Sequence, residues 1–114
     1  MHLQIDVDRR PGVTVLSPHG EIDFATGPRL KESITESLVA GELHLVVDLL
    51  EVDFIESTGL GALVGGHRRA AALNGSLSLV CCEDRLLEVF RITGLDKVFA
   101  IYRSVDAAVT RQVA

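Results

Sequence analysis

The stretch Asp48–Gly66, D-L-L-E-V-D-F-I-E-S-T-G-L-G-A-L-V-G-G, constrains this chain more than any other. An apolar strand runs into a short acidic loop, and Ser57 then opens a glycine-bearing helix. A strand feeding a helix in this way needs a sheet to pack on. The order also places the Ser57 hydroxyl at the positive end of a helix, on the surface, beside two carboxylates. Another protein can modify or read a hydroxyl in that position.

The rest of the chain repeats the alternation. Leu3, Ile5 and Val7 alternate with polar residues and predict a half-buried strand. Arg10-Pro11-Gly12 is a turn, and Val13, Val15 and Leu16 begin a second strand that pairs with the first as a hairpin. Thr26 is placed to cap a helix along which Leu30, Ile34 and Leu38 recur every fourth residue, with Gly41 ending it. His44–Leu50 is apolar on both faces, the mark of a central strand. The Ser57 helix buries Leu60, Leu63, Val64, Ala70 and Ala71 and stops at Asn74-Gly75. Leu77, Leu79 and Cys81 line one side of the next strand. Asp84 then caps a short helix carrying Leu86, Leu87, Phe90 and Ile92 and closed by Gly94. Val98, Phe99 and Ile101 predict a last strand, and Ser104 caps a final helix with Asp106 in its first turn.

That order is β-β-α-β-α-β-α-β-α. After the hairpin, each β-α-β step favours parallel pairing through a right-handed crossover. The expectation is an α/β domain over residues 1–114, a mixed sheet with helices packed on it. A chain of 114 residues can bury roughly two-thirds of its unfolded surface without staples. With hydrophobic residues at 47% and aromatics at 4%, the core must be aliphatic.

Several function classes are disfavoured. The net charge of −5, with no Lys/Arg cluster larger than a pair such as Arg68-Arg69, argues against nucleic acid and anionic membrane as partners. The first ten residues lack the apolar stretch of a signal peptide, and no run approaches the ~20 apolar residues of a membrane span. The adjacent Cys81 and Cys82 point to opposite faces of a strand, so they read as buried thiols in a reducing, cytoplasmic setting. His2, His19, His44 and His67 are isolated and form no zinc pattern, and His67 reads as an edge-of-core residue. Nothing supplies a nucleophile–base–orienter set, so no catalytic residue, metal or cofactor is expected.

Gly59-Leu60-Gly61-Ala62-Leu63-Val64-Gly65 loosely imitates a dinucleotide fingerprint. Its glycines lie well beyond the strand end, Asp53 and Glu56 would repel a pyrophosphate, and the chain is short for two nucleotide-binding halves. From spacing alone, Ser57 reads first as an ordinary N-cap, with Gly59 and Gly61 allowing close packing, and Glu21, Asp23, Asp53 and Glu56 as a solvated face. As a switch, Ser57 has a physical rationale. A phosphate at a helix N-terminus meets free N–H groups and is tolerated by the fold, whereas a partner packed on the bare hydroxyl meets a charge near −2.

The segment D-F-I-E-S-T-G-L-G at Asp53–Gly61 resembles the signature of bacterial anti-sigma factor antagonists, members of the STAS domain family. Gly20-Glu21-Ile22-Asp23 with Thr26 and Leu30 downstream, Gly75-Ser76-Leu77 and Arg91-Ile92-Thr93-Gly94-Leu95 agree with it, in order along nearly the whole chain. The resemblance implies a four- or five-stranded mixed sheet with about four helices, and no catalysis. It implies phosphorylation of the first hydroxyl residue of the motif, Ser57, by an anti-sigma factor that is also a serine kinase. The unmodified protein would bind that factor and free a sigma factor, and a PP2C-type phosphatase would reverse the modification. Glu56 stands where the family has Asp, and Thr58 is the second hydroxyl position. The loop Glu21–Thr26 matches the family's second contact segment. Partner contacts are thus expected at Asp23, Phe24, Thr26, Glu56, Thr58, Gly59 and Leu60, with Phe24 either exposed or tucked against the helix start. Alternatives are a STAS docking module of a stress-sensing assembly, or a small nucleotide-binding domain.

Overall fold

The structure, a computed structural model, describes residues 3–113. The hairpin forms as expected: β1 (Gln4–Arg10) runs antiparallel to β2 (Val13–Ile22), in register from Arg10 opposite Val13 to Gln4 opposite His19. Then follow α1 (Gly27–Val39), β3 (His44–Asp48), β4 (Val52–Ile55), α2 (Ser57–Ala72), β5 (Ser76–Val80) and α3 (Asp84–Ile92). A 3-10 turn at Leu95–Lys97, β6 (Ile101–Tyr102) and α4 (Val105–Val113) complete the chain. The sheet order is β1-β2-β3-β5-β6, all parallel after the hairpin, with β3 in the middle as its two-sided apolarity requires.

Alternation along the strands sorts the core into two layers. Leu16, Leu45, Val47, Leu77 and Leu79 point to the side where α1, α2 and α3 bring Leu30, Ile34, Leu63, Leu86 and Phe90. Val15, Val46 and Val80 point to the other side, where Ala108 of α4 covers them. A hydrogen-bond chain reinforces α4: Ser76 Oγ donates to Gln112 Oε1 at 2.6 Å, and Gln112 Nε2 donates to Ser78 Oγ at 3.0 Å.

The acidic loop read between β3 and α2 contains a sixth, short strand, β4. It lies parallel beside the second half of β2, pairing Ile55 with Ile22. Its inner residues Asp53 and Phe54 are exposed while Val52 and Ile55 are buried, which breaks the two-residue alternation. The register slips there: Gly20 faces Val52 and the next residue, Glu21, faces Phe54, so Asp53 bulges from β4 opposite Gly20, which stands at φ +104. Such a bulge bends its strand, and only glycine holds that φ without strain.

Four local readings are corrected. Ala71, expected on the buried face of α2, is exposed. The last strand is only Ile101–Tyr102; Val98 and Phe99 lie before it, and Phe99 packs as a T-shaped ring on Phe90 and on His67. The cap of α3 is Glu83, whose carboxylate accepts from the Arg85 N–H, and Asp84 is the first helical residue. Cys81 is buried, with its thiol pushed up by desolvation, but Cys82 is exposed. Ser104 does cap α4, accepting from the Ala107 N–H at 3.1 Å.

Candidate functional site

The bulge and β4 together bring the end of β2 against the start of α2. The Glu56 N–H donates to the Ile22 carbonyl at 3.0 Å, continuing the parallel pairing to the last residue before the helix. Ser57 follows as the first helical residue, exposed, so the N-cap is Glu56 and not the serine. Glu56 is extended, with φ −123 and ψ −172, and its side chain makes no cap bond to α2. The longer arm of Glu56 reaches elsewhere: Oε1 accepts from the Phe24 N–H at 2.7 Å. The two loops expected to share the site are therefore joined by a direct bond.

The loop ahead of α1 is built around Asp23. Its Oδ1 accepts from the backbone N–H groups of Ala25 at 2.9 Å and Thr26 at 3.0 Å. These donors, the Thr26 N–H foremost, hold the Asp23 carboxyl below the usual carboxylate range. Thr26 occupies the N-cap of α1 but spends its hydroxyl on the loop, donating to the Glu21 carbonyl at 2.7 Å and accepting from the Asp23 N–H at 2.9 Å. So tied, the loop pushes Phe24 outward to 81% exposure. The open alternative for Phe24 is resolved toward solvent.

The other expected residues take distinct places. Thr58 is half-buried, its methyl against Gly27, where an added Cβ would approach to 2.6 Å. Gly59 is buried, and a Cβ there would meet Ile22 Cγ2 at 2.5 Å and Ile55 Cγ1 at 2.8 Å. Leu60 is half-buried and packs on the main core. Thr26 and Gly59 thus hold the surface from beneath, while Phe24, Glu56 and Ser57 form it, rimmed by exposed Glu21 and Asp53. The Gly27–Thr58 contact was not foreseen. It joins α1 to α2 across 31 positions, and no local pattern announces it.

The dinucleotide alternative fares poorly on this geometry. The fingerprint needs its glycines where a pyrophosphate can approach the backbone. Here the space over Gly59 is filled by Ile22 and Ile55. Among the described residues no group of three or more His, Cys, Asp or Glu side chains is placed to hold a metal ion. No helix of the described residues is long and apolar enough to cross a membrane.

Known proteins with this arrangement agree with one another. The STAS domain family matches residues 4–108. An anti-sigma-B factor antagonist of Listeria monocytogenes is 39% identical over 82 residues, covering 72% of each chain. One from Bacillus subtilis is 33% identical over 101 residues, covering 89% of this chain and 92% of the relative. The crystal structure of an anti-sigma factor antagonist from Mycobacterium paratuberculosis superposes with a TM-score of 0.91 at 30% identity, over 99% of this chain and 96% of that one. With its sheet, its Ser57 helix start and these relatives in accord, the chain belongs to the STAS domain family, alongside the anti-sigma factor antagonists.

Proposed function

We infer that this chain is an anti-sigma factor antagonist whose binding is switched off by phosphorylation of Ser57. One observation carries the reading: the exposed Ser57 hydroxyl stands at the first position of α2 within a surface preformed by the Glu56–Phe24 bond. The unmodified surface binds an anti-sigma factor with serine kinase activity and so releases a sigma factor. The protein acts by binding and performs no catalysis of its own. A PP2C-type phosphatase returns it to the binding form.

The switch follows from charge. A phosphoserine adds about −1.5 to −2 at neutral pH. It enters a surface already bearing Glu21, Asp23, Asp53 and Glu56. The free N–H groups at the start of α2 receive it within the fold. A partner packed against the hydroxyl instead meets an unpaired buried charge, a penalty of several kcal/mol.

The test is incubation with the anti-sigma kinase and ATP, followed by mass spectrometry. A single phosphate on Ser57, absent from Ser57→Ala, and loss of kinase binding on modification are expected. Full phosphorylation of Ser57→Ala at Thr58 would refute the assignment.

A further inference from the structure

Beside Thr58, a groove of about 410 Å³ runs between α1 and α2. Its lining includes Gly61 and Gly65, one turn apart on the outer side of α2, with Lys31 and Arg69 on its walls. The other helical glycines are explained by packing within the chain. Gly59 abuts Ile22 and Ile55, and Gly66 abuts Ile34 and Leu77. Gly61 has no such reason, since a Cβ there would meet nothing within 4 Å. Glycine weakens a helix interior, so its presence there suits a close approach from outside.

The cations of the groove make no ion pair among the described residues, although Lys31 also borders an adjoining hollow lined by Glu32 and Glu36. The acidic side chains of α1, Glu32 and Glu36, lie toward Arg29. Among the described residues neither Lys31 nor Arg69 takes part in an ion pair. Arg69 donates from Nη2 to Thr35 Oγ1 at 3.2 Å, and its buried Nε has no partner. In a chain of net charge −5, this is a cationic notch next to an acidic rim.

Resting on the anti-sigma reading above, we propose that the groove receives an acidic side chain of the protein partner, held by Lys31 and Arg69 over the bare backbone of Gly61 and Gly65. The groove adjoins Thr58, so this contact extends the footprint around Ser57 along α1 and α2. Charge complementarity selects a carboxylate over an apolar anchor.

Titration calorimetry of the full chain against purified anti-sigma factors of its own genome tests this. Wild type binds one of them, and affinity falls as salt rises. Lys31→Glu weakens that binding at least tenfold and removes most of the salt dependence, while Lys31→Gln weakens it less. Gly61→Leu, which fills the groove, also weakens it at least tenfold yet melts no lower than wild type. If wild type binds but Lys31→Glu and Gly61→Leu both bind within twofold of it, the groove proposal falls and the anti-sigma reading survives. If wild type binds none of them, both fall. Lys31-dependent binding of inorganic phosphate, with partner affinity indifferent to Lys31→Glu, puts a small anion in the groove and also overturns the proposal.

Discussion

The Glu56 carboxylate accepts the Phe24 N–H at 2.7 Å, joining the loop before α1 to the residue before α2 across 32 positions. An aspartate at position 56 has one methylene fewer and cannot reach Phe24 without moving backbone. Glu56→Asp should therefore free the Phe24 amide and cost about 0.5–1.5 kcal/mol, the ordinary net worth of one hydrogen bond. Amide exchange at Phe24 should speed up, with urea unfolding giving the energy. An unchanged exchange rate would mean that the bond does not hold the loop in solution.

Asp23 sets an acid limb to stability. The Thr26 and Ala25 N–H groups bond its charged form, so its folded pKa lies below the unfolded one. The sign is then fixed: the contribution is present above the usual carboxylate range near 3.9 and is lost as pH falls through the lowered folded value. Asp23→Asn should melt lower than wild type at pH 6, with the gap closing below about pH 4. Melting curves between pH 2 and 7 test this. A gap that persists undiminished at the acid end would assign the loss to something other than the charge.

Two glycines of α2 should respond oppositely to the same substitution. Gly59→Ala forces a methyl into Ile22 and Ile55 and should destabilise by about 1–3 kcal/mol. Gly61→Ala meets open space and should stabilise by up to about 1 kcal/mol. Denaturant midpoints decide, and a destabilised Gly61→Ala would contradict the geometry.

Phosphorylation of Ser57 should alter binding far more than folding. A charge at an exposed helix start contributes only ~0.3–1 kcal/mol, whereas an unpaired charge in an interface costs several, and each 1.4 kcal/mol is tenfold in affinity. The two forms should share a circular dichroism spectrum and melt within a few degrees of each other. A phospho-form melting tens of degrees lower would replace the binding switch with an unfolding one.

Phe24 should be a binding residue with no part in stability. Its ring is 81% exposed beside Ser57, and Ile92, at 72%, lies on α3. Phe24→Ala should leave stability within about 0.5 kcal/mol and weaken the anti-sigma partner tenfold or more. Ile92→Ala should change neither. Equal losses from the two would move the interface off the Ser57 pole.

Periodicity and turn chemistry settle how this chain is divided into elements. The period-four apolar positions of α1, the two-sided apolar run of β3 and the Ser104 cap of α4 are local signals, and each element is where its residues place it. The family signature and the proposed phosphoacceptor, Ser57, are equally local, written in nine consecutive residues. Only the tertiary structure decided how these parts meet. β4 exists because the second half of β2 offers it a parallel partner, with Asp53 bulged out of the pairing, and four residues with an exposed middle carry no alternation to announce that. The N-cap of α2 fell to Glu56 because pairing with Ile22 holds that residue extended, and its carboxylate left the helix for Phe24. Thr26 likewise turned from its helix to its loop. Where a polar side chain has two possible partners, one local and one distant, the choice depends on which the packed backbone brings within 3 Å, and sequence spacing holds no information about that distance.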